Sequence, residues 1–234
     1  MMTSRTAQQC GQADYGWLQA RYTFSFGHYF DPKLLGYASL RVLNQEVLAP
    51  GAAFQPRAYP QVDILNLILR GEAEYRDNEG NYCQAGDGDL LLLSTQPGVT
   101  WSEQNINRNA PLTRIQLWLD ACPERENPLV QQLKLARDHP HQLIASPDGE
   151  DGSLQVRQQV WIHHITLEPG QEWQQPLKGS RAWLQSIHGQ FQALAANDER
   201  EELGCGDGVF IRDESAICLK AQTPLRALVV DLMS

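Results

Sequence analysis

The residues that could do chemistry in the first half of the chain lie in two short triplets. One triplet contains Arg57 and Tyr59, and the other contains Trp101 and Glu103. Arginine is a permanent cation, tryptophan offers only an N–H donor, and an ordinary tyrosine phenol ionises only at about pH 10. Glu103 is therefore the one strong anionic ligand of the four, and a transition metal needs several converging ligands. This set favours charge pairing over metal coordination.

Arg57 has the charge needed to neutralise Glu103. A carboxylate without a partner in a partly buried pocket is costly, and guanidinium–carboxylate hydrogen bonds are among the strongest that side chains make. We therefore expect Arg57 to contact Glu103 directly, with Tyr59 and Trp101 filling the remaining space. The alternative is that the four side chains only fill an inactive pocket, with the Arg57 guanidinium in solvent and far from Glu103.

No histidine lies close enough to the triplets in the sequence to be predicted as a further metal ligand. None of the six lies between residues 50 and 103. His139 and His141 lie in a predicted solvated loop, where adventitious metal binding is the alternative to no role. His163 and His164 are neighbours in a predicted strand, so their side chains point to opposite faces and cannot chelate one ion together. The sequence therefore predicts no metal cofactor.

The chain has five cysteines, an odd number without regular spacing. This pattern favours reduced thiols and a cytoplasmic location. Cys10 and Cys122 lie in polar segments and are expected to be the more exposed thiols, which makes them the candidates for oxidation. Cys83, Cys205 and Cys218 lie in or beside predicted strands, and we expect them to pack in the interior.

Composition and charge narrow the classes of function. The 234 residues are 42% hydrophobic and 20% charged, as expected for a chain with a well-buried core. The net charge of −9 argues against nucleic acid and against an anionic membrane surface as partners. No apolar run approaches the roughly 20 residues that span a bilayer, and the N-terminus lacks the apolar core of a signal peptide. We predict no nucleic-acid partner and no membrane partner.

The second half of the chain repeats the pattern of the first. Three pairs of segments follow one another in the same order at an offset of about 120 residues, which indicates a duplicated domain. The pairs are VLAPGAAF at 47–54 with TLEPGQEW at 166–173, LILRGEAEY at 67–75 with LQSIHGQFQA at 184–193, and QAGDGDLLLL at 84–93 with GCGDGVFIR at 204–212.

Each half consists of short apolar or alternating runs separated by turn residues, among 18 glycines and 13 prolines. This predicts an all-β fold of two antiparallel barrels of the jelly-roll type, since closure removes exposed strand edges. The leucine-rich runs 65–69 and 90–93 suit a barrel interior. Segment 127–136 follows a proline and has apolar residues at helical spacing, which predicts a short helix in the linker. The predicted division is 1–122 for the N-terminal barrel, 123–153 for the linker and 154–234 for the C-terminal barrel.

Several segments resemble the pirin family of bicupins: GWLQARYTFSFGHYFDP at 16–32, LRVLNQE at 40–46 and IQLWLD at 115–120. The resemblance implies two cupin barrels, with any active site in the N-terminal one. In that family a His-Pro-His and a His-Ser-Glu motif supply three histidines and one carboxylate to an iron-type metal. The matching positions here are the two triplets, which keep only Glu103. The corresponding stretch of the second barrel, 171–175, contains no histidine.

Some pirins resemble quercetin 2,3-dioxygenase in activity, and others are described as transcription cofactors. Because three of the four implied ligands are replaced, we expect no cofactor, no catalytic residues and no dioxygenase turnover. The predicted protein is a monomer that binds a small molecule in the N-terminal barrel or responds to oxidants. Two alternatives remain: a quercetinase-like dioxygenase with an atypical ligand set, and a protein-interaction module.

Overall fold

The computed structural model describes residues 1–233, which form an all-β protein. Three single 3₁₀ turns, none long and apolar enough to cross a membrane, are the helical elements of this range. The turns are Ala7–Gln9, Glu150–Gly152 and Ala196–Asp198. The strands are β1 Met2–Arg5, β2 Gly11–Asp14, β3 Leu18–Tyr22, β4 Leu40–Leu48, β5 Ala53–Ala58, β6 Val62–Arg70, β7 Ala73–Asp77, β8 Tyr82–Ala85, β9 Asp89–Ser94, β10 Thr100–Asn105, β11 Leu112–Asp120, β12 Val130–Lys134, β13 His141–Ser146, β14 Leu154–Gln155, β15 Val160–Leu167, β16 Glu172–Pro176, β17 Arg181–His188, β18 Phe191–Leu194, β19 Arg200–Leu203, β20 Gly208–Arg212, β21 Ala216–Ala221 and β22 Leu225–Leu232.

The two halves have the same design, which confirms the bicupin jelly-roll prediction. The first half contains a seven-stranded sheet in the order β12-β9-β6-β11-β4-β3-β2 and a four-stranded sheet in the order β5-β10-β7-β8. The second half contains a seven-stranded sheet in the order β1-β20-β17-β22-β15-β13-β14 and a four-stranded sheet in the order β16-β21-β18-β19. We call each pair of sheets a barrel.

The leucine runs are buried on both faces because they belong to two cores. Leu91 and Leu93 point into the first barrel, whereas Leu90 and Leu92 belong to a core shared with the second barrel. A strand buried on both sides reads as a continuous apolar run rather than an alternating one. The run 90–93 does line the interior of the first barrel, as predicted, and in addition every second leucine packs the two barrels together.

A buried ion pair crosses this interface. Arg157 of the second half donates from Nε to Asp63 Oδ1 at 2.9 Å, and its backbone N–H donates to Asp63 Oδ2 at 2.5 Å. Its Nη2 donates to the backbone carbonyls of Val62 and Thr95 at 3.1 and 2.9 Å. These contacts satisfy most donors of the arginine, so the pair fixes the relative position of the barrels without leaving buried polar groups unpaired.

Strand exchange also joins the halves. Strand β1, from the start of the chain, pairs with β20 in the sheet of the second half. Strand β12 pairs with β9 in the first half, and the helix predicted over 127–136 is therefore wrong. The edge of β9 offers a backbone ladder to β12, and tertiary pairing of this kind outweighs a weak helical pattern. The predicted domain boundaries stay a prediction.

In the structure the two repeated turns are equivalent with a shift of two residues from the alignment of their Gly-Asp-Gly letters. Gly88 and Gly206 have φ values of 79° and 80°, a conformation that favours glycine. In each turn the next residue, Asp89 or Asp207, accepts a backbone N–H, at 2.7 and 2.8 Å respectively. The residue before each of these glycines is exposed, and in the second turn that residue is Cys205. The expectation that Cys205 packs in the interior is therefore wrong.

Candidate functional site

The interior of the first barrel contains a buried charged cluster. Glu103 on β10 lies opposite Tyr75 on β7, and Arg114 on β11 lies opposite Glu46 on β4. The exposed fraction is 3% for Glu103, 4% for Glu46 and 0% for Arg114 and Tyr75. All four belong to the inward-facing positions of their strands, so their charges and hydroxyls must find partners inside the barrel.

Arg114 is the cation of this cluster. Its Nη1 donates to Glu103 Oε2 in a short ion pair and to the Tyr75 hydroxyl at 3.0 Å. Its Nη2 donates to Glu46 Oε1 at 3.4 Å. One guanidinium thus bridges two carboxylates that would otherwise be buried without a counter-ion. Sequence reasoning missed Arg114, although an arginine inside the apolar strand LTRIQLWLD was a usable signal.

Arg57 reaches the cluster only through a tyrosine. Its Nε donates to the Tyr59 hydroxyl at 2.8 Å, and that hydroxyl lies 3.5 Å from Glu103 Oε1 as a donor. The half-buried guanidinium lies over the Phe54 ring at 4.6 Å from its centroid. The direct contact between Arg57 and Glu103 that we expected is therefore wrong, because Arg114 occupies that role from the neighbouring sheet.

The protonation state of the cluster follows from burial. Burial raises the pKa of Glu46, and the nearby Arg114 guanidinium only partly offsets this effect. Burial also raises the pKa values of Tyr59 and Tyr75, which remain neutral phenols. The Arg114 charge is opposed by burial, but Glu103 and the other anionic partners hold its pKa well above the usual value. Arg114 is therefore held as a cation inside the barrel.

Several buried polar atoms in the barrel have no hydrogen-bond partner among residues 1–233. Trp101 is 1% exposed, and its indole N–H is one of these atoms. Arg114 Nε and the side-chain amides of Asn44 and Asn66 contribute others. Because buried polar groups are nearly always hydrogen-bonded, these atoms indicate places for ordered water or for a small polar ligand.

A chain of aromatic side chains packs beside Tyr59. The Tyr59 ring contacts Trp118 edge to face at 5.3 Å, and Trp118 contacts Phe26 in the same way at 5.5 Å. Phe26 in turn packs against Tyr22 at 5.3 Å. The Trp118 indole N–H donates to Gln116 at 2.9 Å, so it is already satisfied. These rings form an apolar cluster next to the polar residues of the barrel interior.

The residues of the first barrel do not fit the metal that the family resemblance implies. Its one matching carboxylate, Glu103, is already paired with Arg114. Trp101 presents a donor, and Arg57 and Arg114 place two positive charges near the position of a cation. Across residues 1–233, no group of three or more His, Cys, Asp or Glu side chains is arranged to hold a metal ion.

The second barrel holds a neutral polar chain instead. His141 Nε2 lies 2.8 Å from His163 Nδ1, and His163 Nε2 lies 3.3 Å from the Gln175 amide nitrogen. Gln175 also donates to Pro176 O at 2.9 Å and accepts from the Trp173 indole at 3.1 Å. His141 belongs to β13 and is half-buried, so its predicted place in a solvated loop is wrong, whereas His139 is exposed.

These contacts fix the tautomers of the two rings. The Gln175 amide must donate to His163 Nε2, so the proton of neutral His163 is on Nδ1 and points at His141 Nε2. Burial lowers the pKa of His163 to about 3, with smaller contributions from His141 and Lys178, and burial also lowers that of His141. Sequence reasoning separated His163 from His164 correctly but could not find the cross-strand partner, which depends on register.

The cysteines are all reduced across the described chain, and their environments differ. Cys10 and Cys122, expected to be exposed, are both half-buried. Burial raises the pKa of Cys10, and the nearby Arg5 guanidinium only partly opposes this effect. Cys205 is the exposed thiol, and its sulfur lies 4.0 Å from His188 Nδ1.

Comparisons with known proteins cover nearly the whole chain. Residues 3–119 match the Pirin family model, and residues 143–232 match the model for the quercetinase C-terminal cupin domain. Pirin-like protein YhaK of Escherichia coli strain K12 is 70% identical over 232 residues, covering 99% of both chains. A quercetin 2,3-dioxygenase of the same strain is 31% identical over 233 residues, covering 99% of both chains.

Solved structures agree with these matches. The crystal structure of YhaK from Escherichia coli has a TM-score of 0.83 and covers 97% of this chain and 100% of its own, at 70% identity. The bacterial pirin YhhW from Escherichia coli, solved in complex with nickel(II), has a TM-score of 0.91 and covers 99% of both chains at 30% identity. The backbone therefore closely matches that of a relative solved in complex with nickel(II).

Proposed function

The chain belongs to the pirin family, and we propose that its first barrel binds a small polar molecule without a metal cofactor and without quercetin dioxygenase turnover. The observation that carries this proposal is the buried ion pair between Glu103 and Arg114. A metal ion would have to take Glu103 from Arg114. It would then leave that guanidinium fully buried with only Glu46 as a charged partner.

The remaining positions of the two triplets support the same proposal. Arg57 adds a second cation and Trp101 adds a donor, and neither can ligate a metal. Tyr59 holds a proton because burial raises its pKa, so it is not available as a phenolate ligand. Catalysis by an octahedral cupin centre needs several neutral imidazoles and a carboxylate, and the first barrel supplies only the carboxylate.

The unpartnered polar atoms define the ligand that we propose. Trp101 Nε1 and the amides of Asn44 and Asn66 together offer donors and acceptors inside the barrel. A pocket of about 80 Å³ reaches Phe54 and Glu103, but it lies on the outer face of the four-stranded sheet, where outward-facing residues of β5, β7 and β10 form most of its lining.

The test combines metal analysis with turnover. Elemental mass spectrometry of the purified protein and calorimetric titration with nickel(II) should find less than about 0.1 bound metal per chain and no saturable heat. Oxygen uptake with quercetin should stay at the background rate, with the quercetin 2,3-dioxygenase relative as the positive control. Metal bound near one per chain, abolished in E103Q, would instead support the alternative of a dioxygenase with an atypical ligand set.

Ligand binding has its own readout. The Trp101 indole N–H gives a separate nitrogen–proton resonance that the W101F variant assigns. Small polar fragments should shift that resonance in a saturable way, while the indole resonance of the exposed Trp17 serves as the internal control. If fragments shift neither Trp101 nor its neighbours, the barrel holds only water and a protein-interaction role becomes the better explanation.

An oxidant response is the second proposed role, carried by the five reduced thiols. We propose Cys122 before Cys10, because burial raises the pKa of Cys10 and disfavours its thiolate. Cys122 lies at the barrel interface, where its backbone N–H donates to Arg157 O at 2.7 Å. Mild peroxide followed by mass spectrometry should find sulfenic acid or a mixed disulfide on Cys122. Oxidation confined to Cys205 would contradict this assignment.

Two further properties are proposed from the same features. Reduced cysteines support a cytoplasmic location, since disulfides are rare there. Two barrels packed through a shared apolar core in one chain support a monomer, because this core supplies the pairing that single cupins often obtain by dimerising. Light scattering after size exclusion tests the monomer, with a mass of 26.3 kDa as the expected result and twice that mass as the contrary one.

A further inference from the structure

A cleft between the two barrels has the size of a small-molecule site. Its volume is about 340 Å³. Leu69, Lys134 and Leu135 line it from the first half, and His164 and Arg226 line it from the second half. Pockets of roughly 300–1,000 Å³ between domains are frequent locations for small ligands. This cleft is separate from the polar interior of the first barrel.

Arg226 is the central side chain of the cleft. It lies on β22 opposite Thr166 on β15, and its Nε donates to His164 Nε2 at 2.9 Å. The hydrogen bond requires a neutral His164, and burial lowers the pKa of that ring to about 3. His164 therefore orients the guanidinium and contributes no counter-charge. The two terminal nitrogens of Arg226 make no hydrogen bond or ion pair within residues 1–233, and the side chain lines the cleft.

The charge of Arg226 is not compensated. No carboxylate of residues 1–233 lies within ion-pair distance of it, and burial alone accounts for its lowered pKa. Asp87 also lines the cleft and keeps its negative charge, but it makes no ion pair with Arg226, and its Oδ1 accepts the backbone N–H of Gly71 at 2.5 Å. Arg226 is half-buried and has no anionic partner in the protein, so an anion in the cleft would gain charge-assisted hydrogen bonds from it.

Two further cations lie at the rim of the cleft. Lys134 is exposed, and its Nζ lies 3.8 Å from Asp89 Oδ1. Arg137 is also exposed. Three cationic side chains around one cleft are unexpected in a chain whose net charge is −9. Arginine forks match carboxylate and phosphate oxygens in geometry as well as in charge.

We propose that the cleft between the barrels binds a small organic anion through a carboxylate or phosphate group held by Arg226. Lys134 and Arg137 attract the anion at the rim, and the Thr166 hydroxyl offers one more donor. The apolar side chains of Leu69 and Leu135 contact the carbon skeleton. Because the cleft is formed by both halves, the bound anion also strengthens their association.

Calorimetry at low ionic strength tests this site with two probes, inorganic phosphate and succinate. One or both should bind saturably to the wild-type protein, and the R226Q variant should bind at least about tenfold more weakly, since a charge-assisted hydrogen bond is lost. The control variant is K220Q, which removes an exposed lysine paired with Glu172 at 3.3 Å outside the cleft. It should bind as the wild type does.

Three results would contradict the proposal, and two others would identify the chemical group that binds. Binding within twofold of wild type in R226Q, no binding of either probe, or an equal effect from sodium chloride at matched ionic strength would overturn the proposal. If R226Q does not fold, the double variant K134Q/R137Q keeps the core intact and should weaken binding several-fold and reduce its salt dependence. Phosphate binding without succinate binding assigns the site to phosphate groups, and the reverse assigns it to carboxylates.

Discussion

The two barrels share one architecture but treat buried polarity in opposite ways. The first barrel holds charge, with Arg114 between Glu103 and Glu46. The second holds a neutral chain, in which Gln175 fixes the tautomer of His163. A duplicated scaffold therefore places polar groups at inward-facing strand positions in both halves. Only in the first half does a single cation, Arg114, neutralise the buried carboxylates.

This difference predicts different sensitivities to mutation. Removing one partner of a buried ion pair leaves an uncompensated charge and typically costs about 3–5 kcal/mol. Removing one member of a neutral hydrogen-bonded chain costs about 1–3 kcal/mol, since the remaining groups carry no net charge. Single substitutions in the buried charged cluster of the first barrel should therefore lower the free energy of unfolding more than single substitutions in the neutral chain of the second barrel.

The largest expected effect is that of R114M. The substitution keeps a long side chain but leaves Glu103 and Glu46 buried without a cation, so the free energy of unfolding should fall by about 3–5 kcal/mol. Urea denaturation followed by tryptophan fluorescence measures this change. The matched control is R76Q, which breaks the exposed pair between Arg76 and Glu74 and should cost no more than about 0.5 kcal/mol. Equal losses in the two variants would contradict the comparison.

The next effect is a pH dependence of opposite sign in the two barrels. The pKa of His163 is lowered to about 3, so its contribution to stability is complete above about pH 6.5 and is lost as the pH falls. The pKa of Glu46 is raised, so its contribution is present at low pH and is lost as the pH rises through the folded-state value. Lowering the pH therefore destabilises the second barrel through His163, whereas in the first barrel it removes the cost of burying a charged Glu46.

Two variants separate these contributions. H163N keeps the donor toward His141 but cannot titrate, and it should flatten the loss of stability between pH 7 and pH 5 by roughly 2 kcal/mol. E46Q keeps the acceptor toward Arg114 and should steepen that loss. Denaturation midpoints across this pH range measure both slopes. If the two variants change the slope in the same direction, the assignment of one charged and one neutral interior is wrong.

A smaller effect is expected for Q175M in the second barrel. Methionine has a similar shape but leaves the His163 and Trp173 nitrogens without their amide partner, which should cost about 1–2 kcal/mol. The same urea experiment measures this loss, and Q174M, on the opposite face of β16, is the control that should stay near wild type. A loss as large as that of R114M would remove the distinction between the barrels.

Local patterns in the sequence predict the fold better than they predict the site. Turn glycines and the repeated segments are local features, and they indicate two β-barrels directly. The alternation within Leu90–Leu93 becomes clear only when the second barrel packs against the first. Segment 127–136 has a helical pattern, and only the free edge of β9 makes part of it a strand.

The site depends on which strands and sheets face or pair with one another, and local sequence patterns do not show this. Glu103 meets Arg114 because β10 and β11 belong to opposite sheets of one barrel. His141 meets His163 because of the register of β13 and β15. Residue types alone suggested Arg57 as the cation, since it occupies a ligand position of the family. Arg114, a buried arginine on a strand of the opposite sheet, can also be that cation. The positions of Arg57 and Arg114 in the sequence do not show which of them pairs with Glu103.

The most direct test of the central claim is a double-mutant cycle between Glu103 and Arg114. The unfolding free energies of wild type, E103Q, R114M and E103Q/R114M give the coupling between the two side chains. The account predicts a coupling of at least about 2 kcal/mol, with the double variant more stable than R114M alone, because it no longer buries an unpaired Glu103. Additive losses, with a coupling near zero, would show that Arg114 does not neutralise Glu103 and would contradict the account.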